Sequence, residues 1–291
     1  MPSETIQWFP GHMAKTRRMI VENVKFVDVV VEIIDARIPI SSRNPDIDDM
    51  VGNKPRMIVL NRADQADEAM TKAWSDYFRS KGWAVLKTDS KTGVGVNQFS
   101  ATVRGLLKEQ IDRWAEKGQV GKTVRAMVVG VPNVGKSTFI NKVAGRKSAK
   151  AQNKPGVTRG KQWITVDSGL ELLDTPGILW PKFEDQSVGL NLAYTGAVKD
   201  DIMDLETLSF HLMGLLSRRY PEAIKARYKI DIDPGAQDWE LLEAAGRKRG
   251  FLISGGEVDL ERMARILLEE YRSGKLGRFT LESPDQMGEK G

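Results

Sequence analysis

The chain has 291 residues, of which 41% are hydrophobic and 29% charged, a composition typical of a globular protein with one large domain or two ordinary ones. It contains no cysteine, which excludes disulfide scaffolds and cysteine-ligated zinc sites. The sequence shows neither the apolar core of a signal peptide nor an apolar run long enough to span a bilayer, so we expect a cytoplasmic protein without a membrane partner.

The net charge of +5 is unevenly distributed. Residues 199–291 carry 15 basic and 18 acidic side chains, which leaves about +8 on the first 198 residues. Residues 141–162 include seven basic side chains and no acidic one. Two interpretations stay open for this stretch: a solvated basic loop, or a surface that meets the phosphates of a nucleotide or a nucleic acid.

Apolar runs separated by helical patterns predict a doubly wound α/β sheet with helices on both faces. The runs that read as buried parallel strands are 29–35, 56–60, 83–88, 125–130 and 170–174. Residues 163–167 alternate more strongly, which indicates an edge strand. Helical patterns cover 68–81 and 96–117. Ligands of such sheets bind beyond the carboxyl ends of the strands, so functional residues are expected directly after each run.

The strand pattern stops near residue 200. Leucines at 205, 208, 212 and 215 follow helical spacing, and 239–248 and 258–271 also read as helices. We therefore predict two domains: residues 1–198, with an N-terminal segment 1–25, and a small all-helical domain over 199–291. A polar connector over 116–124 joins the two halves of the predicted sheet.

The motif "GVPNVGKS" at residues 130–137 fits GxxxxGK[ST] and follows a predicted strand. Backbone N–H groups of such a loop point at phosphate oxygens, and the following helix adds its positive end. Lys136 is predicted to reach the β- and γ-phosphates, and Ser137 to ligate Mg²⁺ through its hydroxyl. The residues assigned here to the nucleotide are Asn133, Val134, Gly135, Lys136, Ser137 and Thr138.

A second phosphate-site motif, "LLDTPG", ends another apolar run. Asp174 can hold Mg²⁺ through water, and the Gly177 N–H can bond a γ-phosphate. Between the two motifs lies "PGVTRG", in which Thr158 is the natural second hydroxyl ligand of Mg²⁺. The alternative for Thr158 is an incidental position in a Pro-Gly turn.

Base recognition is predicted from "VLNRAD", which supplies Asn61, Arg62, Ala63 and Asp64 at a strand end. The Asp64 carboxylate can accept from guanine N1–H and N2–H₂ together, a donor pair that adenine lacks, and so selects GTP over ATP. Arg62 replaces the usual lysine of NKxD. The loop "KTDSKTG" would add backbone contacts to the guanine oxygen from Asp89, Ser90 and Lys91.

The order of these motifs differs from that of an ordinary Ras-like GTPase, in which the phosphate loop comes first. Here NRAD and DSK precede the phosphate loop, the threonine and DTPG. The order predicts a circularly permuted Ras-like P-loop GTPase domain with a six-stranded, mostly parallel sheet, and 116–124 would join the usual chain ends.

Together with "WFPGHMAK" and "DARIPISSRNP", the permuted motifs resemble the bacterial ribosome biogenesis GTPase A family, also called RbgA or YlqF. The resemblance covers nearly the whole chain. It implies a cytoplasmic GTPase that acts late in large-subunit assembly, binds rRNA and ribosomal proteins, and is stimulated by the subunit. We expect the free protein to be monomeric.

The residue after DxxG is Ile178, which cannot orient a water as the glutamine of Ras-like proteins does. The resemblance implies that His12 of the "WFPGHM" segment takes this role; the alternative is a histidine that caps a turn or contacts RNA. Asn133 resembles the asparagine of potassium-dependent GTPases, which suggests K⁺ beside Mg²⁺ and GTP or GDP. The other histidine, His211, is predicted to be structural.

Basic clusters of the helical domain contact either rRNA phosphates or only solvent. They are Arg218–Arg219, Arg247–Arg249 and the trio Arg272, Lys275 and Arg278. The leading hypothesis is a GTPase that monitors large-subunit assembly. Its rival is a nucleotide-gated RNA-binding module with slow, incidental hydrolysis. A GTPase with membrane or metabolic partners has no supporting segment.

Overall fold

The computed structural model describes residues 12–148, 163–180, 183, 185–198 and 204–287, with side chains except those of 12, 13, 146–148 and 286. The strands are β1 (Val29–Asp35), β2 (Arg56–Asn61), β3 (Ala84–Thr88), β4 (Val124–Val129), β5 (Trp163–Asp167) and β6 (Leu170–Asp174). The helices of the described ranges are α1 (His12–Val24), α2 (Ile47–Val51), α3 (Glu68–Ser80), α4 (Phe99–Leu106), α5 (Lys108–Glu116), α6 (Lys136–Ser148), α7 (Gln186–Tyr194), α8 (Leu205–Arg219), α9 (Pro221–Tyr228), α10 (Asp238–Lys248) and α11 (Leu260–Ser273). None of these helices is both long and apolar enough to cross a bilayer.

The six strands form one sheet in the order β3-β2-β1-β4-β6-β5. Every neighbouring pair is parallel except β5 with β6, which confirms the predicted mostly parallel sheet and the edge position of β5. All residues of β1 and β2 are buried, as expected for strands covered on both faces. The carboxyl ends of the five parallel strands therefore lie along one edge.

Aromatic side chains account for much of the core beside β2. Trp74 and Phe78 of α3 are buried against Ile34, Ile58 and Leu60 of the sheet. Helix α3 begins at Glu68 because the Asp67 carboxylate accepts the Met70 N–H at 2.9 Å and caps the first turn. Elsewhere, Phe99 of α4 packs edge-to-face on Phe139 of α6, with ring centroids 5.3 Å apart.

One local prediction needs correction, and one helix was not predicted. The single helix predicted over 96–117 is a 3₁₀ turn (Val96–Gln98) followed by α4 and α5, with a break at the buried Leu107. No secondary structure was predicted for the N-terminal segment 1–25, and its described part contains α1. Thr16, Ile20 and Asn23 of α1 are buried at spacings of four and three, which is one helical face.

The compact units differ from the predicted domains in two places. The described residues of the helical unit start at Phe183 rather than at 199 and end at Phe279. Residues 280–287 belong instead to the unit that contains the sheet. The first difference arises because α7 contacts α8 and α11, and the Arg272 guanidinium donates to the carbonyls of Ala193 and Tyr194.

Within the helical unit, α8 contacts α7, α9, α10 and α11, as its predicted leucine face requires. Leu208 and Leu212 are buried, and the Ser209 hydroxyl donates to the Ala264 carbonyl of α11. His211 lies exposed on α8 and does not contribute to this core.

Candidate functional site

Asn61, at the end of β2, links three loops at the carboxyl edge of the sheet. Its Nδ2 donates to the Val134 carbonyl of the phosphate loop at 2.7 Å. Its Oδ1 accepts from the Thr88 hydroxyl at 3.1 Å, the Ser90 hydroxyl at 2.6 Å and the Ser90 N–H at 3.2 Å. Since Asn61, Thr88 and Ser90 are all buried, these bonds hold the NRAD, DSK and phosphate loops in one arrangement.

Arg62 adds a second link between the same loops. Its Nη2 donates to the Asn133 carbonyl at 2.8 Å, and its Nε lies 3.7 Å from the Asp35 carboxylate. Both Arg62 and Asn133 have the left-handed backbone, with φ of 58° and 60°. The arginine that replaces the usual lysine is thus part of the support of the phosphate loop.

Asp35 and Arg37 form a buried ion pair beneath this edge. The carboxylate accepts from Arg37 Nε at 2.9 Å, from Nη2 at 2.8 Å and from the Arg37 N–H at 3.0 Å. Burial alone raises the pKa of a carboxyl group, but these bonds and the charges of Arg37 and Arg62 outweigh it and lower the pKa of Asp35. Sequence reasoning used "DARIPISSRNP" only for the resemblance and missed this pair.

Asp64 is exposed and Asp89 is half-buried near the ends of β2 and β3. Burial and the neighbouring Asp89 carboxylate raise the pKa of Asp64. Burial also acts on Asp89, but bonds from the Thr92 hydroxyl and the N–H groups of Thr92 and Lys91 outweigh it and lower its pKa. The Ala63 N–H donates to the Thr88 carbonyl at 3.1 Å. The arrangement leaves Asp64 exposed as an acceptor and shapes the Asp89 loop through its own side chain.

The phosphate loop leaves β4 and enters α6 at Lys136. Gly135 has a φ of 90°, and a side chain there would collide with the Asn61 amide. Lys136 Nζ lies 2.6 Å from Asp174 Oδ1, so the predicted phosphate lysine and the predicted Mg²⁺ residue pair directly. Ser137 and Thr138 are exposed in the first turn of α6. The structure thus brings both phosphate motifs together.

The DTPG segment packs on the phosphate loop through its backbone. A Cβ at Gly177 would lie 2.9 Å from the Pro132 backbone, so any larger residue would displace that loop. The Ile178 N–H donates to the Gly130 carbonyl at 3.1 Å, and the Thr175 hydroxyl to the Val128 carbonyl at 2.8 Å. Ile178 is only 2% exposed, which places its side chain in the core.

Two predicted site residues lie outside this description. The backbone of His12 begins α1, but its side chain is not among the described ones. Thr158 falls outside the described residues altogether. Within the described ranges, no three His, Asp or Glu side chains form a metal-binding group. The oxygen donors at hand are the exposed Ser137 hydroxyl and Asp174 carboxylate, a chemistry that Mg²⁺ accepts together with phosphate oxygens.

The basic clusters of the helical unit divide into two kinds. Arg249 pairs with the buried Glu270 at 3.1 Å, and Arg272 donates to two α7 carbonyls, so both hold the unit together. Arg218, Arg219, Arg247, Lys248 and Arg278 are exposed, and of these Arg218 pairs with Asp238 at 2.6 Å and Arg247 with Glu243 at 2.8 Å. Trp239, at the start of α10, is 46% exposed. The helical unit therefore keeps exposed basic side chains and an exposed aromatic ring.

Comparisons with known proteins agree with this geometry. Residues 125–212 match the family model described as 50S ribosome-binding GTPase. The chain is 48% identical to a ribosome biogenesis GTPase A of Bacillus cereus, over 98% of this chain and 96% of that protein. It is also 48% identical to the ribosome biogenesis GTPase A of Priestia megaterium, over 97% of this chain and 98% of that protein. A GDP-bound structure of YlqF aligns with a TM-score of 0.69 at 28% identity, covering 92% of this chain and all of that chain.

Proposed function

The chain belongs to the ribosome biogenesis GTPase A family and is a GTP-hydrolysing enzyme, and we propose that it acts at a late step of large ribosomal subunit maturation. Its relatives support the broader role in ribosome assembly. Binding of rRNA and ribosomal proteins, stimulation by the subunit, a monomeric free state and a cytoplasmic location are parts of the proposal.

One observation carries the nucleotide-binding part of the proposal: the base loop, the phosphate loop and DTPG are joined at a single edge by Asn61, Arg62 and the pair of Lys136 with Asp174. Asp64 would accept from the guanine N–H groups. The Ser90 and Lys91 N–H groups donate to Asn61 and Asp89 in this structure, so they would have to share or exchange those bonds to contact the base. Lys136 would exchange the Asp174 carboxylate for the nucleotide phosphates, which frees Asp174 to hold a metal-bound water. The N-terminus of α6 adds backbone donors for the phosphates.

We assign Mg²⁺ to Ser137 and Asp174, with Thr158 as the further hydroxyl. The exposed oxygen atoms of Ser137 and Asp174 support this assignment. Bound Mg²⁺ neutralises charge that develops on the transferred phosphate. We assign K⁺ to Asn133, whose left-handed backbone and carbonyl bond to Arg62 fix its place in the loop.

For the hydrolytic water, the buried Ile178 leaves the usual position without an orienting group among the described residues. We assign this role to His12, which the resemblance suggested. We assign rRNA contacts to the exposed Arg218, Arg219, Arg247 and Lys248, because phosphate neutralisation by exposed cations supplies most of the affinity for nucleic acid. Trp239 offers a ring for base stacking.

The test is GTP hydrolysis with and without purified large subunits, in K⁺ and in Na⁺, for wild type, His12→Ala and His211→Ala. The second histidine is a matched control, since it lies exposed on α8. We expect stimulation by subunits in K⁺, a loss of about 100-fold or more in His12→Ala, and no change in His211→Ala.

The outcomes separate the parts of the proposal. No stimulation by subunits contradicts the partner, and equal rates in K⁺ and Na⁺ contradict the cation. A folded His12→Ala that retains full stimulated hydrolysis contradicts the role of His12 and favours a nucleotide-gated RNA-binding module. Circular dichroism establishes that each variant is folded.

A further inference from the structure

The last described residues, 280–287, form a C-terminal segment that packs in the sheet-containing unit, although the chain reaches them from the helical unit. We propose that this C-terminal segment positions the phosphate loop, acting through Asp35 and Arg62. The inference rests on the assignment of Arg62 and Asn133 to the nucleotide site, and adds Glu282 and Thr280 as positioning residues.

Glu282 binds the loop that follows β1. Its carboxylate accepts from the N–H groups of Ile40 at 2.7 Å and Ser41 at 3.0 Å, and from the Ser41 hydroxyl. Its carbonyl accepts from Trp74 Nε1 at 3.1 Å, which anchors the segment on α3. Hydrogen bonds to a carboxylate are stronger than those between neutral groups, so Glu282 is the main electrostatic contact of the segment.

Leu281 and Thr280 bind the same loop nearer to β1. The Leu281 N–H donates to the Arg37 carbonyl at 2.8 Å. The Thr280 hydroxyl donates to the Ala36 carbonyl at 3.4 Å and accepts from the Asp67 N–H at 3.1 Å. Thr280 and Leu281 are 3% and 4% exposed, so these bonds are shielded from water. The segment thus joins the loop after β1 to the start of α3.

The held loop begins directly after Asp35, the last residue of β1, whose carboxylate Arg62 approaches. Asp35 and Arg37 are 2% and 1% exposed. The Arg37 carbonyl accepts from the Leu281 N–H and its guanidinium binds the Asp35 carboxylate, so the C-terminal segment reaches Asp35 through Arg37. Arg62 lies between Asp35, at 3.7 Å, and the Asn133 carbonyl, at 2.8 Å. A continuous series of contacts therefore leads from Glu282 to the phosphate loop.

Loosening the segment restores conformational freedom to residues 36–42 and weakens the placement of Arg62. The phosphate loop then loses one of its two links to the base loop, while the link through Asn61 remains. We expect a moderate effect, in which bound nucleotide dissociates faster but the fold persists.

The experiment measures dissociation of a fluorescent GDP analogue from the full-length protein. The variants are Glu282→Gln, Arg62→Ala, their combination, and Asp285→Asn as the control. Asp285 lies in the same segment, is exposed, and accepts only a hydrogen bond from Ser283 among its described contacts. Glu282→Gln keeps the size of the side chain but places an amide N–H₂ against backbone N–H groups.

We expect Glu282→Gln to speed dissociation about fivefold, the equivalent of one neutral hydrogen bond, and Asp285→Asn to leave it unchanged. In the Arg62→Ala background, Glu282→Gln should add nothing, because both changes break one series of contacts. The inference is overturned if the effects of Glu282→Gln and Arg62→Ala on the dissociation rate are fully additive. It is also overturned if Glu282→Gln leaves that rate unchanged.

A substitute variant and the result of Arg62→Ala alone ensure that the experiment gives a clear answer. If Glu282→Gln does not fold, Thr280→Val replaces it, since valine preserves the shape and removes both hydroxyl bonds; the same rates decide. If Arg62→Ala itself leaves dissociation unchanged, the assignment of Arg62 to the nucleotide site fails, and the inference fails with it. Stimulation by large subunits is measured separately and does not enter this test.

Discussion

Each compact unit contains a buried carboxylate that is held by more than one basic side chain. In the sheet-containing unit Asp35 binds Arg37 and lies near Arg62. In the helical unit Glu270 of α11 binds Arg227 and Arg249. In both cases burial acts to raise the pKa, and the guanidinium partners outweigh it and lower the pKa.

The two networks differ in what else their arginines contact. Arg62 also binds the Asn133 carbonyl of the phosphate loop. Around Glu270, the Tyr228 hydroxyl donates to the same carboxylate at 2.9 Å, and the Arg249 guanidinium lies 5.3 Å from the Tyr228 ring centroid. The Glu270 network joins parts of one helical core. The same chemistry therefore serves the nucleotide site in one unit and packing in the other.

The largest expected effect is on the stability of the helical unit. Glu270→Gln should lower its free energy of unfolding by about 3 kcal/mol, because two arginines lose a buried carboxylate. Calorimetry should show a lower melting temperature for this unit, and GTP affinity should not change. A loss of GTP affinity in the folded variant would contradict the separation of the two networks.

Substitutions at two glycines, one in each unit, compare the units through smaller effects on stability and GTP binding. Gly177→Ala forces a Cβ against the Pro132 backbone and should cost about 1–3 kcal/mol and weaken GTP binding. Gly214→Ala, in α8, forces a Cβ against the Asp238 carboxylate, which is paired with Arg218, so we expect a similar cost of about 1–3 kcal/mol but unchanged GTP binding. Chemical denaturation and nucleotide titration measure both. Equal effects of the two substitutions on GTP binding would be the contrary result.

The sequence predicted the sheet well because buried parallel strands appear as continuous apolar runs, and the phosphate motifs have fixed spacing. It did not reveal α1, since Thr16 and Asn23 make its buried face partly polar. The bond between Leu281 and Arg37 joins residues far apart in the chain and leaves no local pattern. Arg62 was identified from its motif, but its contact with Asn133 depends on the folded loops.

The smallest expected effect is a change with pH in the stability difference between wild type and Glu270→Gln. The pKa of Glu270 is lowered in the folded state from its ordinary value of 4.5, so its stabilising contribution is complete above that pH and is lost as the pH falls through the folded pKa. The stability difference between wild type and Glu270→Gln should therefore narrow below pH 4.5. Melting temperatures of both proteins over a pH series measure this stability difference. A difference that widens as the pH falls would contradict a lowered pKa of Glu270.

The most direct test of the division between the networks compares GDP dissociation from Asp35→Asn and Glu270→Gln. Both substitutions replace a buried carboxylate with an amide of similar size, and circular dichroism establishes that each protein is folded. The account predicts dissociation about tenfold faster from Asp35→Asn, through the loss of the Arg62 anchor, and a rate within about twofold of wild type for Glu270→Gln. Equal acceleration in both variants would contradict it.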